Sequence, residues 1–252
     1  AAEDTRHTGQ LLSHFDIRTP LISCHAFNER AREAELMEKL AHGDVALVTD
    51  AGTPGVSDPG ALIVDAAHRS GFPVVSIPGP SALTAAISVS GLVDGPVAFL
   101  GFPPRKAKER EALLRKADEA GFSFVLFEAP NRVAGTLAAI AEIDPERQVA
   151  IIRELSKLHE ETIRGAAGEL AERFHDQPLR GEVVIVVQAG APPPVDIEDA
   201  DRMVADLIAG GMRTADAAKQ VAAATGIPRS NLYQRALKVK PSRTGNPACG
   251  DA

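Results

Sequence analysis

Between Asp50 and Gly60 the chain reads Asp-Ala-Gly-Thr-Pro-Gly-Val-Ser-Asp-Pro-Gly, with three glycines and two prolines in eleven residues. Glycine lets such a backbone approach a ligand closely, and proline keeps it stiff. The loop lacks the Gly-Lys-Ser/Thr ending of a phosphate cradle and the spacing of a dinucleotide fingerprint. Asp50 and Asp58 would also repel phosphate. Carboxylates and backbone carbonyls at a strand end suit a ligand with positive charge, such as the ammonium and sulfonium of S-adenosylmethionine. The alternative is an ordinary loop held by Asp capping.

The elements that must carry this loop read as an alternation. Val45–Thr49 is a β-branched, apolar run that feeds the loop, Ala61–Ser70 has a helical pattern, and Pro73–Ile77 reads as the next strand. That strand enters a second compact loop, Pro78-Gly79-Pro80-Ser81, followed by a small-residue helix over 82–90 with Ser81 as N-cap. Strand, loop, helix repeated in this way predicts a parallel sheet with its functional loops at the carboxyl ends of the strands. Gly95-Pro96 and Phe102-Pro103-Pro104 mark a domain boundary near residue 95. Beyond it the pattern predicts strands over 122–127, 149–153, 161–164 and 183–188 and helices over 131–142 and 167–174, an α/β region with some antiparallel pairing. Ala191-Pro192-Pro193-Pro194 reads as a stiff linker.

The last module is helical, over 200–209, 214–225 with a Thr N-cap, and 230–240. Leu232, Tyr233, Ala236 and Leu237 form an apolar face of its third helix, and Asn231, Gln234, Arg235 and Lys238 the opposite stripe. The turn at Gly226 makes a helix-turn-helix layout, with a plain helical cap as the alternative. Residues 244–252 read as disordered. The three expected domains are therefore 1–94, 95–190 and 198–240.

Composition bounds the function. The chain has 252 residues, 44% hydrophobic and 24% charged, the balance of an ordinary globular protein. No run reaches the roughly 18 apolar residues of a spanning helix. The opening residues lack the features of a secretion signal, so the cytoplasm is the expected location and no membrane partner is expected. Two cysteines, Cys24 and Cys249, exclude a disulfide framework and are too few for a structural zinc site; no metal is expected. The net charge of −7 is uneven. Residues 201–243 hold eight basic and three acidic side chains, and 105–116 hold six and two. Two basic islands on an acidic body point to a polyanionic partner, against the alternative of a solvated helix face. Aromatic content of 4% with no Trp argues against extensive base stacking, leaving phosphate contacts and shape.

The eleven-residue loop closely resembles the signature of the ribosomal RNA small subunit methyltransferase I family, in the tetrapyrrole methylase superfamily. The resemblance extends through Ala2–Thr8, His25 with Asn28-Glu29, Pro78–Ala82, Gly101–Lys106, Phe127-Glu128 with Arg132, Arg153–Lys157, Glu161-Thr162 and Arg180–Glu182, in order and spacing over about residues 1–240. It implies a two-domain α/β tetrapyrrole methylase-like fold with a C-terminal helix-turn-helix-like appendix, S-adenosylmethionine in the cleft, a homodimer, and 2'-O-methylation of a cytidine ribose in 16S rRNA of the small ribosomal subunit. Family members usually open with a first strand and a Thr-Pro-Ile-Gly-Asn-Leu type loop, and this sequence starts after it. Asn131 stands where relatives often have histidine.

By matched position the resemblance implies cofactor contacts from Asp50, Ala51, Gly52, Thr53, Pro54, Ser57 and Asp58, from Pro78, Gly79, Pro80, Ser81 and Ala82, and from Phe127. For such a reaction Glu29, Glu128, Glu154 and Lys157, the last as a neutralised lysine, are the candidates for a general base, with a salt-bridge network as their other role. Arg6, Arg132 and Arg153 are candidates to hold flanking phosphates, joined on the RNA side by His25, Asn28, Arg105, Lys106, Arg229, Arg235 and Lys238. His25 belongs to no ligand-spaced histidine cluster and is read as structural or substrate-side. Two other functions fit less of the pattern. A small-molecule methylase acting on a tetrapyrrole-like substrate would not need the basic helical appendix, and a non-catalytic RNA-binding module would bind RNA without cofactor.

Overall fold

The computed structural model describes residues 1–190 and 196–238, which fall into two compact units, 1–190 and the helical remainder. The expected linker at 191–194, the tail at 244–252 and the last two residues of the third terminal helix lie outside the described residues.

The first unit opens with helices α1 (Thr5–His14), α2 (Glu29–Leu40), α3 (Ala61–Arg69) and α4 (Ala82–Ser90). Asp4 caps α1 by accepting the Arg6 amide at 2.8 Å. Neither α1 nor α2 is among the helices expected from the sequence; α1 buries only Thr8, and α2 only Glu29 and Leu36. The two strands expected before α3 and α4 do not form a ladder. Val48 makes one parallel bridge with Ala2, which also bridges Ser23, and Pro73–Ile77 makes no strand pairing. The parallel sheet expected in this half is thus reduced to those bridges. A β-branched run becomes a strand only where a neighbour supplies hydrogen bonds. Val75 and Ile77 are instead 78% and 84% exposed.

The organising sheet comes next: β1 (Val97–Phe99), β2 (Ser123–Glu128), β3 (Gln148–Arg153), β4 (Glu161–Ala166) and β5 (Val183–Val187), in the order β1-β2-β5-β3-β4. β1 and β2 are parallel across the crossover helix α5 (Ala107–Glu119), which carries most of the first basic island; every other pairing is antiparallel. Both faces are covered, so β5 is continuous Val-Val-Ile-Val-Val. Val183, Ile185 and Val187 pack with α5, α6 (Val133–Ala141) and α7 (Ala167–Phe174), while Val184 and Val186 pack with Ala86 of α4. The helix expected over 131–142 begins as a 3-10 turn, Pro130–Arg132. Because α4 lies on the second-half sheet, residues before and after Gly95 share one apolar core.

Glu29 has a task the sequence did not reveal. Its buried carboxylate accepts the amides of Gly60 and Leu62 at 2.9 Å and Ile63 at 3.4 Å, capping α3 from another helix. Glu29→Ala is expected to destabilise the protein by about 2–3 kcal/mol, read as a lower urea midpoint with unchanged slope, because three amides lose a charged acceptor.

In the second unit α8 (Ile197–Ala209), α9 (Thr214–Thr225) and α10 (Arg229–Lys238) close on Ala200, Val204, Ala217, Ala218, Val221 and Leu232. Gly226 ends α9 in the left-handed region, as the turn requires. Arg213, rather than a threonine, occupies the N-cap of α9. The buried stripe of α10 is also rotated from expectation. Leu232 is buried and Ala236 partly so, but Tyr233 and Leu237 are exposed, and Arg235 turns inward to Asp201 with bonds of 2.6–3.0 Å.

Candidate active site

Two turns bring the glycine-proline loops together. Thr53 Oγ1 donates to the Pro80 carbonyl at 3.4 Å, and α4 then carries Ser81 and Ala82 onto the sheet. Between these loops and the ends of β2 and β5 lies a cavity of about 320 Å³, within the range of small-molecule sites. Ala51, Gly52, Thr53, Ser57, Asp58, Ser81, Ala82, Phe127 and Glu128 line it, as does Val56. Asp50, Pro54, Pro78, Gly79 and Pro80 support the loops without lining it.

The cavity has residues that motif reading of the loops alone did not place there: Phe102, Ala129, Pro130 and the stretch Gly181–Val184. Phe127 forms edge-on contacts with Phe99 and Phe102, centroids 5.0 and 5.5 Å away, giving an aromatic wall. Gly181 has φ +86°, and an added Cβ would fall on the Glu154 carboxylate. Gly181→Ala should cost about 1–2 kcal/mol and push the Glu182 segment toward the cavity, measured as a lower melting midpoint together with weaker ligand binding.

Electrostatically the cavity favours a cation. Asp58 titrates at about 6 against an ordinary 3.8, pushed up by burial first and then by Glu3 and Asp50. The Asp50 amide donates to the Glu3 carboxylate at 3.2 Å and Asp50 Oδ1 accepts the Asp4 amide at 3.3 Å; among the described residues no arginine or lysine hydrogen-bonds to Glu3, Asp50 or Asp58. A positively charged ligand would relieve this repulsion, and the apolar opposite wall suits a purine-sized group.

The four candidate bases have other settings. Glu29 caps α3, as above. Glu128 has a fully buried side chain whose Oε2 accepts Thr136 Oγ1 at 2.6 Å and whose Oε1 accepts the Ala129 amide at 2.9 Å, with Arg132 Nε 3.2 Å away. Glu154 accepts the Glu182 amide and Lys157 Nζ, which hold its carboxyl below the usual range. Lys157 is raised above its ordinary value by its bonds to Glu154 and Glu182. A lysine so paired stays protonated, the opposite of the neutralised base expected from sequence.

The RNA-side candidates are dispersed. Arg132 donates from Nη2 to the carbonyls of Pro103 and Pro104, at 2.8 and 2.9 Å, tying down the segment that carries Phe102. Asn28 accepts the His25 amide at 2.7 Å, so these two close the turn before α2. Arg6 pairs with Asp4, Lys106 with Glu109, Arg153 with Glu161 and Arg235 with Asp201. Arg105, Arg229 and Lys238 are exposed.

Comparisons with known proteins agree over nearly the whole chain. A family profile described as Tetrapyrrole (Corrin/Porphyrin) Methylases matches residues 2–171, and one described as RsmI C-terminal HTH domain matches 194–240. The Ribosomal RNA small subunit methyltransferase I of Synechocystis sp. is 39% identical over 245 residues, 95% of this chain and 88% of that protein. The protein of the same name from Bacillus subtilis is 37% identical over 241 residues, 92% and 82% of the two chains. Among solved structures, diphthine synthase superposes with a TM-score of 0.53 at 18% identity, covering 71% of this chain and 73% of that one. The methyltransferase CobJ gives 0.52 at 16% identity, with 76% and 88% covered. These two likenesses concern the fold.

Proposed function

Because the chain belongs to the ribosomal RNA small subunit methyltransferase I family of tetrapyrrole methylases, whose methyl donor is S-adenosylmethionine, we propose that it methylates the 2'-oxygen of a cytidine ribose in 16S rRNA of the small subunit. The observation that carries this reading is the cavity where an acidic loop faces an aromatic wall at the strand ends.

The residues present fit the cofactor. Asp58, backed by Glu3 and Asp50, supplies the negative potential a sulfonium or ammonium needs, and Phe127 with Phe102 supplies an apolar surface for its base. Ala51–Thr53 and Ser81-Ala82 offer backbone groups along one side. When bound, S-adenosylmethionine supplies a methyl group already activated on sulfur.

The protein's remaining work is to place the ribose oxygen in line, with reacting atoms about 3–3.5 Å apart, which can account for several kcal/mol of the barrier. Glu128 and Arg132 serve that placement as braces. They fix the end of β2 and the Pro103-Pro104 segment, and so the aromatic wall. Arg105, Arg229 and Lys238, all exposed, are read as phosphate contacts. We read the active form as a homodimer, for which sedimentation should give twice the 26.5 kDa chain mass.

Incubation with methyl-labelled S-adenosylmethionine and small ribosomal subunits, followed by digestion to nucleosides, tests the reaction. Label in 2'-O-methylcytidine is expected. Label in another nucleoside, or only in an added porphyrin precursor, would contradict the reading.

A further inference from the structure

We propose that a second groove, separated from the cofactor cavity by the Arg180–Glu182 segment, is a phosphodiester-binding site for the RNA strand, gripped by Arg173 and Arg180. The assignment rests on the RNA-methyltransferase reading and adds a binding site to it.

The groove has a volume of about 260 Å³, and its lining includes Arg153, Glu161, Arg173, Phe174 and Arg180. Three guanidinium groups against one carboxylate give it a net positive charge. That carboxylate is already committed, because Arg153 Nε lies 2.6 Å from Glu161 Oε2. Arg153 also donates to the Arg180 carbonyl at 3.4 Å, which fixes the backbone from which Arg180 projects. Arg173 leaves the last turn of α7 with its guanidinium carbon 5.1 Å from the Phe174 ring centroid. Among the described residues neither Arg173 nor Arg180 has a carboxylate within salt-bridge distance. Two guanidinium groups lining one groove with no carboxylate paired to either suit an anion with several oxygens, which planar guanidinium forks hold well.

Continuity with the cofactor cavity selects a nucleic-acid strand as the source of that anion. Arg180 lines the groove, while the next residues, Gly181 to Val184, line the cavity. Three chain steps, Arg180 to Val183, span at most about 10 Å. That is the rise of roughly three stacked nucleotides. The side of the groove is also defined: Arg153 continues the Val149 and Ile151 side of β3, toward α5–α7, and the cavity meets the start of β5 at Val183 on that side as well as at Val184 on the α4 side. A strand with its ribose at the cavity can therefore pass around the Arg180–Glu182 turn and rest neighbouring phosphates on Arg173 and Arg180.

The test compares the full-length protein with Arg173→Gln/Arg180→Gln and Arg173→Lys/Arg180→Lys. Binding of a 16S rRNA fragment is measured across a salt series, with S-adenosylmethionine affinity and melting midpoint measured in parallel. The Gln pair should lose roughly tenfold in RNA affinity at 0.1 M salt, and its log–log salt slope should fall by about 1.4, the value for two single-strand phosphate contacts. Its cofactor affinity and melting should be unchanged. The Lys pair should keep the wild-type slope. A wild-type slope in the Gln pair would overturn the assignment, as would equal losses of RNA and cofactor affinity, or a loss seen with assembled subunits but not with naked RNA. If the wild-type protein labels no RNA at all, the reaction assignment fails and this one with it; if it labels RNA normally and only the slope prediction fails, the groove alone is misassigned.

Discussion

Asp58→Asn is expected to weaken S-adenosylmethionine binding by roughly tenfold to a hundredfold at pH 7.5 while raising the melting midpoint of the ligand-free protein. The two effects have one cause. In the free protein, burial and the nearby Glu3 and Asp50 make the Asp58 charge unfavourable, which is why its carboxyl titrates near 6. A folded-state value raised above the ordinary 3.8 means the native state holds its proton more tightly than the unfolded chain. The associated stability is present below pH 3.8 and is lost as pH rises through about 6. At pH 7.5 the wild type carries that penalty and the Asn variant does not. Cofactor binding has the opposite dependence, since a cation prefers the ionised carboxyl. Affinity should rise from pH 5 to about 6.5 and then level off, with proton release on binding near pH 5. Calorimetry in two buffers of different ionisation enthalpy measures that release; a pH-independent affinity, or tighter binding by the Asn variant, would exclude Asp58 from the site.

Glu128→Ala should be the most damaging single change, costing about 3–5 kcal/mol. Its carboxylate is fully buried between Thr136, the Ala129 amide and Arg132, and truncation leaves the partly buried Arg132 guanidinium without its counterion and the buried Thr136 hydroxyl without its acceptor. Glu128→Gln keeps the shape and one acceptor oxygen and should cost less than half as much. Denaturant unfolding separates the two. If Glu128 were instead a general base, Gln would abolish turnover at full stability and unchanged cofactor affinity, a pattern the burial of its side chain argues against.

What the sequence made legible follows from where local pattern and tertiary setting agree. β5 could be read from its five consecutive β-branched residues because both its faces are buried, and α4, α7 and α9 were bounded by glycine, alanine-rich pattern and turn residues. Val45–Thr49 and Pro73–Ile77 also read as strands but have no ladder partner, and propensity alone does not supply one. On α10 the four-residue apolar set was split by a charge: Arg235 finds Asp201 thirty-four positions earlier, a pairing no helical period contains. The same limit governs the site. The acidic glycine-proline loop announced a cavity for a cation, and Ala51–Thr53, Ser57, Asp58 and Phe127 do meet there. The roles of Glu29, Glu128 and Lys157 depend on amides and carboxylates brought from distant segments, so residue type at a motif position suggested chemistry where the fold has a cap, a brace and an ion pair.

The central claim is that the cavity between the Asp58 loop and the Phe127 wall holds the methyl donor. A structure of the protein with S-adenosylhomocysteine and a small-subunit RNA fragment tests it directly. The account predicts the amino-acid end of the ligand beside Asp58, its base against Phe127 or Phe102, and a ribose 2'-oxygen facing the sulfur. Ligand bound elsewhere, with this cavity closed by side chains, would contradict it.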